Sequence, residues 1–223
     1  MQLKKTDLFT FIHKSLRNMI YNAGSKLLLT DFANASETEE MINSLKVCLD
    51  LLHEHAVHED NIIFPEIANN EPEMIKMLND EHHEIEQKLN LLQTHLDKIL
   101  VTDDSNIRLE LGNQLNNLFN DFSASYLAHM NHEETTVLDA SFKYLTDKEL
   151  VAIRTRIQTQ IPPERYKIWL NWMLTSLNNQ ELIGLLDGMK ASAPPHIFEN
   201  VIGVAQSIIN KQRFETVKTR IGL

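Results

Sequence analysis

Cysteine is almost missing from this 223-residue chain: Cys48 is the only one, which excludes an intrachain disulfide and any CxxC motif. It reads as a small buried apolar residue on a helix rather than a nucleophile. Glycine and proline are scarce at six each, so neither a flexible linker nor a fibrous repeat fits the composition. Strand-type alternation of β-branched residues is nearly absent, whereas leucine, isoleucine and methionine recur at a helical period. No apolar stretch reaches the roughly 18 residues of a membrane-spanning helix, and the N-terminus lacks a basic start followed by an apolar run. The expectation is a soluble cytoplasmic protein without a membrane partner. Positive charge is also short in the first part. Residues 1–145 hold 24 acidic against 11 basic side chains, a balance of −13, while residues 146–223 hold 7 against 10, a balance of +3. An acidic front of this size argues against a nucleic-acid partner and suits cations.

Helical periodicity divides the first part into four segments. The first runs from about Asp7 to Leu29, with Leu8, Phe11, Ile12, Leu16, Met19 and Ile20 on one stripe. A polar segment, Asp31–Ser36, breaks it. Ser36 with Glu39 then reads as a capping box for a second helix that stops at Pro65. Pro72 suits the first turn of a third helix reaching about Leu100. After a polar turn over Thr102–Asn106, a fourth helix ends near Phe142. Long helices with short connections predict an all-α fold, an up-down-up-down four-helix bundle over residues 1–145.

Residues 146–223 predict a smaller C-terminal helical region. Pro162-Pro163 and Pro194-Pro195 stand 32 residues apart, and the same offset carries Asn178-x-Gln180 onto Asn210-x-Gln212 and Leu182 onto Phe214. A weaker copy begins at Thr146, where Glu149-Leu150 matches Glu181-Leu182. Short helices are expected over Asp147–Gln160, Glu164–Ser176, Asn179–Lys190, His196–Ile209 and Lys211–Ile221. Each buries little alone, so they pack on one another or on the bundle. Trp169 and Trp172 read as core or interface packing and His196 as solvent-facing. Any protein partner or homodimer contact is assigned to this region.

The chemistry lies in the histidines of the first part. His13 stands alone on the first helix, and each later helix carries one His-x-x-x-Glu: His55 with Glu59, His82 with Glu86, and His129 with Glu133. A spacing of four puts both side chains on one helix face. In an antiparallel bundle all four motifs fall at about the same height. Seven nitrogen and oxygen donors would converge there, enough for two iron-type ions, whose preference is for imidazole and carboxylate. One such pair alone is usually a surface ion pair; four at one level, on apolar stripes, are not. His58 and His132, three residues after a ligand histidine, stand beside that stripe. Tyr126, three residues before His129, is expected to pack, with a hydrogen bond into the site or its own oxidation as the alternative roles. Glu54, Asp60, Glu66, Glu81 and Glu134 line an acidic approach or belong to the solvated surface.

These residues also carry a resemblance. His55-Ala-Val-His-Glu59-Asp60-Asn-Ile-Ile-Phe-Pro65, Phe9-x-x-x-His13-x-x-Leu-Arg17, Glu81-His82 and His129-Met-Asn-His-Glu133-Glu134 resemble the motifs of the hemerythrin-like family, the HHE cation-binding domains, over residues 1 to about 145. The resemblance implies two Fe ions, with Mn as the alternative, and an oxo or hydroxo bridge. It makes Glu59 and Glu133 bridging ligands and the four histidines terminal ones. Oxygen-carrying members have a second histidine where this chain has Glu86, which argues against simple oxygen storage. The expected function is a non-haem di-iron protein that binds or senses O2, NO, peroxide or iron, with a small diatomic or peroxide as its ligand. A di-iron redox enzyme for peroxide turnover or iron-centre repair, an iron storage or transfer protein, and a metal-independent helical adaptor are the alternatives.

Overall fold

The computed structural model describes residues 5–223, so the first four residues of the expected bundle lie outside the described residues. It is all-α. Five helices come first: α1 (Thr10–Leu29), α2 (Ala35–His58), α3 (Phe64–Ile67), α4 (Pro72–Leu100) and α5 (Ser105–Tyr144). Five short ones follow: α6 (Asp147–Gln160), α7 (Pro163–Ser176), α8 (Asn179–Ser192), α9 (Pro195–Ile208) and α10 (Lys211–Arg220). Among the described residues no helix is long and apolar enough to cross a membrane.

The long helices α1, α2, α4 and α5 form the bundle around leucines and aromatics at helical spacing. Leu45, Leu49 and Leu52 come from α2, Leu78, Ile85, Leu89 and Leu92 from α4, and Leu115, Phe119 and Phe122 from α5. Two starts differ from the sequence expectation. Asp7 accepts the Phe9 N–H at 2.9 Å, a local turn that delays α1 to Thr10. Asn34, not Ser36, caps α2: its side chain accepts the Ser36 and Glu37 N–H groups and donates to Glu37 Oε1 at 2.8 Å. Ser36 therefore lies inside the helix and the Ser36–Glu39 box does not form.

At the loop end of the bundle the buried Arg108 donates to the carbonyls of Phe32, Ala33, Thr102 and Asp103. One guanidinium thus satisfies acceptors that the turns leave without helical partners. Gly112 is required beside it, since a Cβ there would lie 2.2 Å from the Phe32 ring.

The short helices begin at residues 147, 163, 179, 195 and 211, one every sixteen residues, so the 32-residue offset corresponds to a helix pair. Pro163 and Pro195 occupy the first turns of α7 and α9, where a missing N–H costs nothing. Asn178 and Glu181 cap α8 reciprocally, and Thr146 with Glu149 repeats that exchange at α6. α7 packs on α9 and α8 on α10. Their shared core contains Leu174, Leu182, Leu186, Phe198, Phe214 and Val217.

Packing divides the chain into two compact units, residues up to Phe9 with Met19–Ile157, and Thr10–Asn18 with Gln158–Leu223. Within the second, Phe11 lies against the short-helix core, Asn18 Nδ2 donates to Ser176 Oγ at 2.9 Å, and Lys14 pairs with Glu181. Within the first, α6 adds Leu150 and Ile153 to a cluster with Ile62, Ile63, Phe64 and Val137. Arg156 of α6 donates to the Ile62 carbonyl at 3.0 Å and pairs with Glu66.

Candidate metal centre

The α register of the second helix fails directly after His58. Glu59–Ile63 form a π turn in which the Phe64 N–H donates to the Glu59 carbonyl. Pro65 explains it: proline brings no N–H, and its ring crowds the carbonyl four residues back, so the turn before it widens. The turn places two neighbouring carboxylates differently. Glu59 is buried, whereas the partly exposed Asp60 reaches His82 on α4.

Two groups of donors result. His13, His55, Glu59 and Glu133 form one; Glu59, His82, His129 and Glu133 form the other, with one ligand atom of each residue within 4.8 Å of the rest of its group. Both carboxylates belong to both groups. None of the six side chains is more than 8% exposed. His55 Nε2 lies 2.9 Å from Glu59 Oε1, His129 Nε2 3.3 Å from Glu133 Oε1, and His82 Nε2 3.7 Å from Glu59 Oε2. The His82 and His129 rings are neighbours at 4.4 Å between centroids, and Phe64 stacks on His82.

The donor set fits cations. Metals held by imidazole and carboxylate take bond lengths of about 2.0–2.2 Å, so opposite ligands stand about 4.2 Å apart. His82 Nε2 is buried and makes no hydrogen bond. Two carboxylates and four imidazoles enclosed by leucine and phenylalanine carry a desolvation cost on the order of several kcal/mol per ion. A bound cation offsets it directly.

Glu86 is not brought to either group; its side chain is exposed. The buried stripe of α4 steps from His82 by three to Ile85 and then by four to Leu89, which leaves Glu86 toward solvent. The structure therefore assembles six of the seven residues expected to converge.

The neighbours differ from expectation in detail. Tyr126 is buried and donates its hydroxyl proton to the Leu52 carbonyl at 2.9 Å, not into the centre. Burial first, and then the charges of Glu59 and Glu133, hold its pKa well above the usual tyrosine value. His58 is half-buried, and burial with the nearby His55 lowers its pKa against the opposing pull of Glu54 and Glu59. His132 Nδ1 lies 2.9 Å from Glu81 Oε1, while Glu81 Oε2 lies 2.8 Å from His129 Nδ1. Asp60 Oδ1 lies 2.7 Å from His82 Nδ1. Burial would raise the Glu81 pKa, but the hydrogen bonds from His129 and His132 outweigh it and hold the carboxyl low. Burial would also lower the His129 pKa; the Glu133 hydrogen bond and the surrounding carboxylates overcome it and raise the value to about 9. Cys48 is buried and burial lifts its thiol to about 12, so it is unreactive.

Two donor groups that share both carboxylates inside a helical bundle have the arrangement of a dinuclear carboxylate–histidine site. Residues 4–141 match the hemerythrin HHE cation-binding domain, and the chain belongs to that family. No curated protein and no solved structure matches the chain. Helices α6 to α10 lie beyond the matched residues.

Proposed function

We propose that the chain is a cytoplasmic non-haem di-iron protein that binds or senses O2, NO, peroxide or iron. The observation that carries this reading is the sharing of Glu59 and Glu133 by two donor groups, each completed by two histidines. His13 and His55 would hold one cation and His82 and His129 the other. Two carboxylates between two cations lower their mutual repulsion where water is excluded. Imidazole and carboxylate donors suit iron, with manganese as the nearest alternative. When bound, such a pair supplies redox-active cations to which a small molecule can attach.

The protein's own part is to hold and shield. Tyr126 spends its proton on the Leu52 carbonyl and so walls the centre without donating to it. Phe64, stacked on His82, closes another side against water. With Glu86 exposed, α4 contributes His82 alone, and the six protein donors would leave room for a small exogenous ligand.

Metal analysis of the purified chain and of Glu59→Gln tests the reading. About two metals per chain are expected for the parent and a clear loss for the variant. An unchanged count in Glu59→Gln removes the shared role of that carboxylate. Iron-loaded protein without near-ultraviolet charge-transfer bands after exposure to O2 removes the di-iron reading.

A further inference from the structure

We propose that Asp60 and Glu81 are positioning residues for this centre, each holding a histidine in the tautomer and ring orientation that presents Nε2 to a cation. The inference rests on the metal reading above and adds to it two residues outside both donor groups.

A neutral imidazole carries one proton, and the partner of one ring nitrogen decides the state of the other. Asp60 Oδ1 stands 2.7 Å from His82 Nδ1, and Glu81 Oε2 stands 2.8 Å from His129 Nδ1. An ionised carboxylate can only accept, so in the neutral rings both Nδ1 atoms carry the proton. The Nε2 lone pairs then point inward, toward Glu59 and Glu133. Lone pairs facing carboxylate oxygens at 3.7 Å and 3.3 Å repel unless something positive lies between them. The outer carboxylates therefore select, for the neutral rings, an arrangement that a cation between Nε2 and the inner carboxylates makes favourable. Carboxylate–histidine–metal relays of this kind tune ligand basicity as well as direction.

The contacts also run across elements. Asp60, on the π turn that follows α2, holds a ring of α4; Glu81, on α4, holds a ring of α5 and, through Oε1, His132 one turn further on. An exposed ion pair of this length contributes little. The contacts to His82 and His129 end on rings that are almost wholly buried, so each sets the rotation of one helix relative to the next.

The test compares the full chain with Asp60→Ala, Asp60→Asn, Glu81→Ala and Glu81→Gln, each loaded anaerobically with Fe(II) and titrated with a competing chelator. Asn and Gln keep an oxygen that accepts the Nδ1 proton; Ala does not. Positioning requires that the Ala variants release metal at least tenfold more readily. It also requires that the amide variants recover most of the loss, with helix content by circular dichroism unchanged throughout. Ala variants that hold both metals as tightly as the parent overturn the proposal, as do amide variants impaired as much as the Ala ones. Should the Ala variants fail to fold, nitrogen NMR of the parent without metal decides the matter. In the neutral rings it must show the Nδ1–H form at His82 and His129, and an Nε2–H form overturns the proposal. A parent chain that binds no metal at all overturns the di-iron reading first, and this inference with it.

Discussion

The bundle and the short-helix array are both built from amphipathic helices, yet they fill their interiors differently. Every buried polar or charged side chain among the described residues lies at or before Ser141, and the interior of α7 to α10 is leucine, valine, phenylalanine and their like. The array is specified by repetition: a cap or a proline every sixteen residues, then an apolar side chain at the fourth position of the helix, as with Leu150, Leu182 and Phe214. The bundle, by contrast, sets six costly groups in its core at one level. Polar atoms in a core reduce stability unless they are paired or bound, so that level of the bundle is shaped for a ligand and not for the fold.

Removing the metal should break the comparison most strongly. A ligand present at a thousand times its dissociation constant stabilises by about 4 kcal/mol, so stripping the chain with a chelator is expected to lower the melting temperature of the bundle by several degrees. Calorimetry with and without metal measures it, and an unchanged transition would remove the stabilising role of bound cations. Next comes Leu182→Ala, which opens a cavity in the array core at a cost of about 3 kcal/mol. Chemical denaturation should register this loss, while the metal content of the folded chain stays at that of the parent.

The third effect is smaller and depends on pH. In the metal-free protein His129 has a folded pKa raised to about 9 against an ordinary value of 6.5. A raised basic group stabilises fully below its unfolded pKa, and that contribution disappears as pH rises through the folded value. The metal-free chain should therefore lose stability between about pH 6.5 and 9, as seen in its melting temperature. Metal binding needs the Nε2 proton gone, so metal affinity should rise over the same interval. An Nε2-blocking variant, His129→Gln, should flatten both trends. The smallest expected change is Glu86→Gln, within about 0.5 kcal/mol of the parent and with unaltered metal stoichiometry. Loss of metal in that variant would restore Glu86 to the donor set.

Helix starts marked by proline were legible in the sequence: Pro72, Pro163 and Pro195 each occupy a first turn; Pro65, read as a stop, instead lies within α3 after the π turn. The repeat of the short helices was legible for the same reason, because it is written in local caps. His-x-x-x-Glu pairs on α2 and α5 could be read because a step of four keeps both side chains inward there. On α4 the same spacing misled. The sequence shows the distance between His82 and Glu86 but not whether the buried stripe takes its next step by three or by four, which the facing helices decide. Asn34 and Ser36 are both competent caps, and only the loop geometry chooses. Asp60 and Glu81 appeared as part of an acidic approach or of the solvated surface, since a hydrogen bond to the far nitrogen of a histidine on another helix depends on how those helices are rotated. The π turn was hidden for a similar reason: proline predicts a stop, and only a helix held on both sides turns that stop into a widened loop.

That widened loop has a consequence for where the chain can be cut. The hemerythrin match ends at residue 141, but Arg156 grips the Ile62 carbonyl of the loop, and Leu150 and Ile153 cover its isoleucines. Trimming the protein to the matched region would uncover an oily strip beside the turn that carries Glu59 and release one of its anchored carbonyls. The shortened product would be a sticky, loosened bundle, so α6 has to travel with the domain it follows.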